Sequence, residues 1–546
     1  MATSTSTQAT TARRIADQVV GGFARMYAQA QRLHREALHV RTVVGSRVSA
    51  EECAANIRGR LARREDAFLQ VLERAIFGFS RSPYRRLFEV CGHDLGSIRR
   101  LIGQLGLEGA LERLSGDGVF VSIEEFKGTR PAHRRGHELH FAPGDFDNPL
   151  TQSGLVAASG GTRSRRIPTI ISPEDHRVGA EHFAVALDAY GLTARPMAVW
   201  FADGHGANMW AVAALAAMRA PSVQWFSLAR EGAFLTLLSK VGRLYGLDLP
   251  HLVHAPFQEA SRILSWITSV RGEGRCGVFT MAGLAVRLAL EARTRNISLN
   301  NVTFITIGEP LTSAKLRAVT DVGGQAFSSL GFTEFGRATY GCPNRDGTDD
   351  SHICRDAVSV IQRRRPVDHL GTEVDALLFT ALWPHARKIL LNVETGDYAT
   401  MSRRRCGCPL EAIGWFEHMQ DIRSFEKLNA IGRVFFGTAL HALVEELLPG
   451  RFGGQPADYQ LVEAEDADGF TRLTVLVHPR LGPVDDRAVL ECVEQTLTGI
   501  SEMQAGVWHD AGVVRVRRQP PIMTAAGKLM PLHHLGVSAG ESTAIG

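Results

Sequence analysis

The chain has 546 residues, 45% hydrophobic and 22% charged, enough for about three domains with cores of their own. Its 61 basic and 57 acidic residues leave a net charge of +4, and this near balance excludes the strong basic excess of a nucleic-acid binder. The polar N-terminus MATSTSTQATTARRIADQ has no apolar core, no window approaches about 18 uninterrupted apolar residues, and eight cysteines are too few for a disulfide scaffold; the expectation is a cytoplasmic protein with reduced thiols that binds neither nucleic acid nor membrane.

In chain order, residues 1–150 predict a helical region. The segment EECAANIRGRLARREDAFLQVLERAIFGF repeats apolar positions at i, i+3, i+4 and i+7, which points to burial or a homodimer contact rather than chemistry. Next comes AASGGTRSRRIPTI, where Ser159, Gly160, Gly161 and Thr162 precede Arg163, Arg165 and Arg166. Small residues let a backbone loop close around a ligand, and hydroxyls with arginines favour an anion such as phosphate. The loop lacks the Gly-Lys-Ser/Thr of a Walker A sequence and is no dinucleotide fingerprint. From 151 to 425 short apolar runs alternate with helices: PMAVWFA, VQWFSLA, GVFTM and VTFITIG are strands, while MWAVAALAAMRA, AGLAVRLALEARTRN and LTSAKLRAVTDVG are helices. That alternation predicts βαβ units in an α/β core. Residues 426–546 predict a small α+β domain: two strands in DYQLVEAEDADGFTRLTVLVHP, a helix in RAVLECVEQTLTGI and a strand in GVVRVRR.

Four further motifs follow the Ser159–Thr162 loop: Gly308-Glu309-Pro310 after one strand, Thr333-Glu334 after the next, Thr395-Gly396-Asp397 beyond them, and Lys528 in PPIMTAAGKLMPL. A separate group, Cys342, His352, Cys406 and Cys408, offers the soft ligands of a closed tetrahedral zinc site, which would be structural because no position is left for water. Buried packing cysteines are the competing explanation, and Cys354 is a spare that can replace one of the four. The Gly536–Gly540 stretch has the spacing of a nucleophile elbow but too little chain after it for the required helix. His205 is a lone histidine with no motif around it.

Kept in this order, the five motifs resemble the adenylate-forming superfamily of acyl-CoA synthetases, peptide-synthetase adenylation domains and luciferases, with the phenylacetate-CoA ligase-like branch nearest. The resemblance spans residues 150 to 546. It implies a large core of parallel sheets and helices followed by a mobile α+β lid. It also implies ATP and Mg²⁺ as cofactors: Ser159 to Thr162 on the β- and γ-phosphates, Gly308, Glu309 and Pro310 walling the adenine, Thr333 on the α-phosphate, Glu334 on Mg²⁺, and Asp397 on the ribose hydroxyls. Arg423 stands where the family has its Arg-Gly hinge and is the candidate for the ribose or phosphate contact, with Lys427 close behind, and Lys528 is the cation that reaches the carboxylate and the α-phosphate. The phosphate loop departs from the usual Ser-Gly-Thr-Thr-Gly-Lys: Gly161 replaces a Thr, Arg163 replaces a Gly, and Arg165 or Arg166 must supply the cation. Zinc-containing members of the branch carry a similar Cys, His and Cys-x-Cys set.

The implied activity is adenylation of a carboxylic acid with release of pyrophosphate, then transfer of the acyl group to a thiol, either CoA or the phosphopantetheine of an acyl carrier protein. Amide formation with an amine, and a zinc-stabilised binding protein that has lost catalysis, are the alternatives. Pocket residues are expected from WFADGHGANMW, QWFSLA and FTMAGL, whose Trp, Phe and Met content suits an aromatic or medium-length apolar acid.

Overall fold

The structure is a computed structural model. It describes residues 49–151, 154–158, 167–201, 207–228, 249–272, 274–366, 373–424, 427–430, 433–436, 443–465, 471–498, 512–522 and 532–534, with His34, Leu38, His39, Arg41 and Thr42 before them. Helix α1, Ala50–Ala62, starts at a capping box in which Ser49 and Glu52 satisfy each other's backbone N–H groups. Helix α2, Leu95–Gly116, is capped by Asp94 and interrupted at Gly106, whose φ of 71° only glycine adopts cheaply. Helix α3, Pro173–Ala189, begins at a Ser172 cap with proline in its first turn, where the missing N–H costs nothing.

These helices are fastened to the rest of the chain by buried charge. Asp356, in a turn far along the sequence, accepts hydrogen bonds from Arg60 Nε of α1 at 2.8 Å and Trp415 Nε1 at 3.2 Å, and lies 2.8 Å from His182 Nε2 of α3. Asn56 Nδ2 donates to Glu181 at 3.0 Å, and Arg60 pairs with the same carboxylate.

Six parallel strands form the first sheet: β1 Met197–Phe201, β2 Val223–Ser227, β3 Leu252–His254, β4 Cys276–Met281, β5 Val302–Ile307 and β6 Gln325–Ser328, in the order β6-β5-β4-β1-β2-β3. Every residue of β4 and β5 is buried, as the near-continuous apolar runs of a sheet covered on both faces require. Helices α4 Ala207–Ala217, α5 Ala282–Thr294 and α6 Ser313–Thr320 make the crossovers after β1, β4 and β5. Strands β3 and β6 are too short to have stood out in the sequence.

A second sheet departs from the expectation of parallel sheets. Strands β7 Thr339–Gly341, β8 Ser351–Ile353, β9 Val358–Pro366, β10 Glu373–Ala381, β11 Val393–Arg403 and β12 Glu417–Ser424 lie in the order β7-β8-β12-β11-β10-β9, every pair antiparallel. The physical reason is connection length: only six residues join β9 to β10, too few for a parallel crossover. The N-terminal region is stitched to this sheet, with Glu394 N donating to Val121 O at 2.9 Å and Leu391 N donating to the Tyr84 hydroxyl at 3.0 Å.

Beyond it, β13 Lys427–Ala430 and β14 Arg433–Phe436 pair antiparallel. Strands β15 Tyr459–Glu465, β16 Thr471–Val477, β17 Val514–Arg518 and β18 Leu532–His534 form a sheet in the order β17-β16-β15-β18, with helix α7 Asp486–Thr498 crossing between β16 and β17. Among the described residues, no helix is long and apolar enough to cross a membrane.

Candidate active site

In an open parallel sheet, ligands bind beyond the carboxyl ends of the strands, near the point where strand order reverses. Here the reversal lies at β1, which has β2 on one side and β4 on the other. Two of the sequence motifs leave the sheet at this end. Gly308 follows β5 with a φ of 78°, and the chain turns there. Glu309 is buried and folds back: its Oε2 accepts from Gly283 N at 2.7 Å, at the start of α5, and lies 3.6 Å from Lys315 Nζ. Lys315 also donates to Pro310 O at 3.2 Å. A Cβ on Gly283 would stand 3.1 Å from that carboxylate, so glycine is what permits the approach. The carboxylate therefore serves the helix N-terminus, where negative charge is favoured. Its Oε1 is buried without a hydrogen-bond partner among the described residues, so the turn offers a ligand Gly308, Pro310 and that oxygen.

After β6 the chain forms a tight hairpin, Gly331–Phe332 against Gly336–Arg337, with Thr333, Glu334 and Phe335 at its turn. The Thr333 carbonyl accepts from Arg387 Nη1 at 3.1 Å, and Arg387 Nε donates to Asp175 Oδ2 of α3 at 2.7 Å. Burial raises the pKa of Asp175 and Arg387 opposes the rise, so the pair shares one buried network. Gly336 has a φ of 107° and a Cβ there would lie 3.2 Å from the Arg387 guanidinium. The hairpin is thus held by its backbone, and among the described residues the partly exposed Glu334 carboxylate has no hydrogen bond or ion pair. A carboxylate on a held backbone and left with all its lone pairs is the kind of oxygen donor that a hard cation such as Mg²⁺ accepts.

Asp397 sits on β11 opposite Ser424 of β12, and its Oδ2 accepts from Thr395 Oγ1 at 2.9 Å. Arg423 pairs in register with Tyr398, one residue on, so its side chain emerges on the other face of the sheet from Asp397. There Arg423 Nη1 donates to Asp349 Oδ2 at 3.0 Å. The two are neighbours in the backbone and occupied on opposite faces. Ser159, Gly160, Gly161 and Thr162 lie outside the described residues, between Leu155–Ala158 and Pro168–Ile171, which pair as an antiparallel hairpin. Lys528 and His205 lie outside them as well, as does the side chain of Lys427.

The cysteine and histidine group does come together. One ligand atom from each of Cys342, His352, Cys406 and Cys408 lies within 4.8 Å of all the others. His352 Nε2 stands 3.1 Å from Cys408 Sγ and 3.7 Å from Cys406 Sγ. A tetrahedral zinc with thiolate and imidazole ligands needs edges of about 3.5–3.8 Å, so the donor set fits such an ion with little movement. His352 Nδ1 meets the Trp415 carbonyl at 2.6 Å, which fixes the tautomer that leaves Nε2 free to ligate. Arg404 approaches Cys342 Sγ at 3.7 Å and pairs with Asp350, placing a cation beside the thiols. The hydrogen bond with Cys342 holds the Cys408 thiol well below its ordinary range. Cys354 is not a member of the group; it is fully buried elsewhere, and burial pushes its thiol up.

One feature has no counterpart among the sequence motifs. Arg337, three residues after Glu334, lays its guanidinium 5.7 Å from the Trp210 ring and 5.3 Å from the Phe279 ring. Trp210 and Phe279 come from two of the segments expected to line the pocket. An arginine inside the apolar run FGRATYG was the available signal.

No family model and no curated protein matches the chain. Solved structures do. A 2-hydroxyisobutyryl-CoA ligase, in complex with 2-HIB-AMP and CoA in the thioesterification state, is similar over 90% of this chain and 91% of its own, with a TM-score of 0.54 and 16% identity. A malonyl-CoA ligase with methylmalonyl-CoA and AMP bound matches 68% of this chain and 71% of its own, at a TM-score of 0.40 and 14% identity. The amide bond synthetase McbA from Marinactinospora thermotolerans matches 69% and 67%, at a TM-score of 0.38 and 13% identity.

Proposed function

We propose that this chain, which has the fold of the adenylate-forming enzymes, activates a carboxylic acid with ATP to an acyl-adenylate and then passes the acyl group to a thiol. The observation that carries the reading is the exit of Gly308-Glu309-Pro310 and Thr333-Glu334 from adjacent strands β5 and β6, at the carboxyl end of the parallel sheet.

Attack of a carboxylate on the α-phosphorus brings two anions together and expels pyrophosphate, so the protein must supply position and positive charge. Ser159 to Thr162 would hold the β- and γ-phosphates through hydroxyls and backbone N–H groups. Thr333 would meet the α-phosphate from a hairpin whose backbone Arg387 fixes. Asp397 accepts hydrogen bonds and suits the ribose hydroxyls. Lys528 is the compact cation for the incoming carboxylate and the α-phosphate. Bound Mg²⁺, held by Glu334, would neutralise phosphate charge. CoA and a carrier-protein phosphopantetheine are the thiol acceptors proposed. Zinc on Cys342, His352, Cys406 and Cys408 would be structural and would tie the β7–β8 loop to the β11–β12 connection.

ATP–pyrophosphate exchange across a panel of carboxylic acids tests the first half-reaction, with acyl transfer to CoA, carrier or amine scored separately. Acid-dependent exchange with AMP as the nucleotide product is expected. Release of ADP would reject the mechanism.

A further inference from the structure

Arg337 stands in an unusual setting. It projects from the Thr333–Glu334 hairpin over the rings of Trp210 and Phe279, and among the described residues it has no hydrogen bond and no carboxylate partner. Phe183 lies at the centre of the same cluster, its ring 5.5 Å from Trp210, 5.5 Å from Phe279 and 6.4 Å from Tyr340. Two more polar groups are left over there. Trp210 Nε1–H and the Tyr340 hydroxyl are both buried without a hydrogen-bond partner, in residues only 7% and 1% exposed. Orphaned buried donors are rare, and each costs free energy that folding must offset. Two buried donors, from α4 and β7, are therefore unsatisfied around the partly exposed Arg337, the indole edge of Trp210 lying against Gly179 of α3.

Burial pulls the Arg337 pKa down to about 10, still charged at neutral pH; the nearest other cation, Arg387, is already neutralised by Asp175. Stacking on aromatic faces recovers part of the cost of burying this cation and leaves its N–H fork without a protein partner among the described residues. A planar fork with the electrostatically coupled Tyr340 hydroxyl in the same cluster matches a carboxylate.

We propose that Arg337 and Tyr340, with the Trp210 and Phe279 rings under the guanidinium, form the receptor for a second carboxylate on the acyl substrate, so that the acid activated here is a dicarboxylate. The proposal rests on the adenylation reading for the fate of the first carboxylate. The first carboxylate loses its charge as it bonds to the α-phosphorus, and Lys528, which also meets that phosphate, is the cation already assigned to it, so Arg337 is left for a different anion. The second carboxylate stays anionic throughout and can be held by Arg337 through both half-reactions.

The test uses matched pairs, adipate with hexanoate and terephthalate with benzoate, on the full chain and on Arg337→Gln, Arg337→Lys and Tyr340→Phe. Two readouts are taken: calorimetric binding of the acid without nucleotide, and pyrophosphate exchange. The expected result is that a diacid binds and exchanges at least ~10²-fold better than its monoacid, that Arg337→Gln removes the difference, and that Arg337→Lys restores part of it. Tyr340→Phe should weaken diacid binding while raising Tm, because an unsatisfied buried hydroxyl is removed. Arg337-dependent diacid binding without exchange would uphold this receptor and sink the adenylation reading instead. Equal use of mono- and diacids, a uniform rise in KM for ATP in Arg337→Gln, or no diacid binding at all would overturn the proposal.

Discussion

Replacing Asp356 with Asn should unfasten the N-terminal helices from the rest of the chain. The Asp356 side chain has no solvent exposure and answers Arg60, His182 and Trp415 together. Burial pushes its pKa up, but His182 and Arg60 more than offset this and hold it at about 2. A carboxyl whose pKa falls from 3.8 to about 2 on folding contributes about 2 kcal/mol at neutral pH. The amide removes that and turns an N–H₂ toward Arg60 or His182, so the loss should reach ~3–5 kcal/mol, the range for a broken buried pair. The sign with pH follows from the depressed value. Stability from this group is complete above the unfolded pKa near 3.8 and is lost as pH falls through about 2, so the difference between wild type and variant should shrink by about 2 kcal/mol over that range. Urea unfolding at pH 7, 5, 4 and 3 would measure the difference, and an Arg60→Leu cycle at pH 7 would isolate the pair. A loss below ~1 kcal/mol at pH 7, or a difference that does not shrink with acid, would refute the reasoning.

Elemental analysis of purified protein should find one zinc per chain, and Cys406→Ser with Cys408→Ser should strip it and lower Tm sharply, since ligation stabilises only the folded form; a metal-free protein of full stability would make these packing cysteines. Lys528→Ala should lower acyl-AMP formation by ~10² or more with Tm unchanged, and unaltered adenylation would dismiss the assignment. Glu309→Gln should cost about 1–3 kcal/mol in denaturant, because the α5 N-terminus and Lys315 lose a charged partner. Unchanged stability with a raised KM for ATP would instead put that carboxylate at the nucleotide.

The first sheet was readable because β1, β4 and β5 are buried along their whole length and read as near-continuous apolar runs. The antiparallel sheet was harder: β9 runs buried for four residues and then alternates, so no single period spans it. The cysteine and histidine group was legible from residue type, since few other combinations offer four soft ligands. Glu309 was legible as a motif but not as a cap, because its partner Gly283 lies on another strand–helix junction. Arg337 escaped because an isolated arginine carries no periodicity, and its meaning comes from Trp210 and Tyr340, which only folding brings near.

The central claim is that carboxylate oxygen attacks the α-phosphorus of ATP, and oxygen transfer measures this directly. An acid that supports exchange is labelled with ¹⁸O in its carboxylate and turned over with ATP and the thiol acceptor, and the nucleotide and phosphate products are examined by mass spectrometry. The account predicts one ¹⁸O in AMP and none in pyrophosphate. Label in inorganic phosphate with ADP as co-product, or unlabelled AMP alongside thioester, would contradict it.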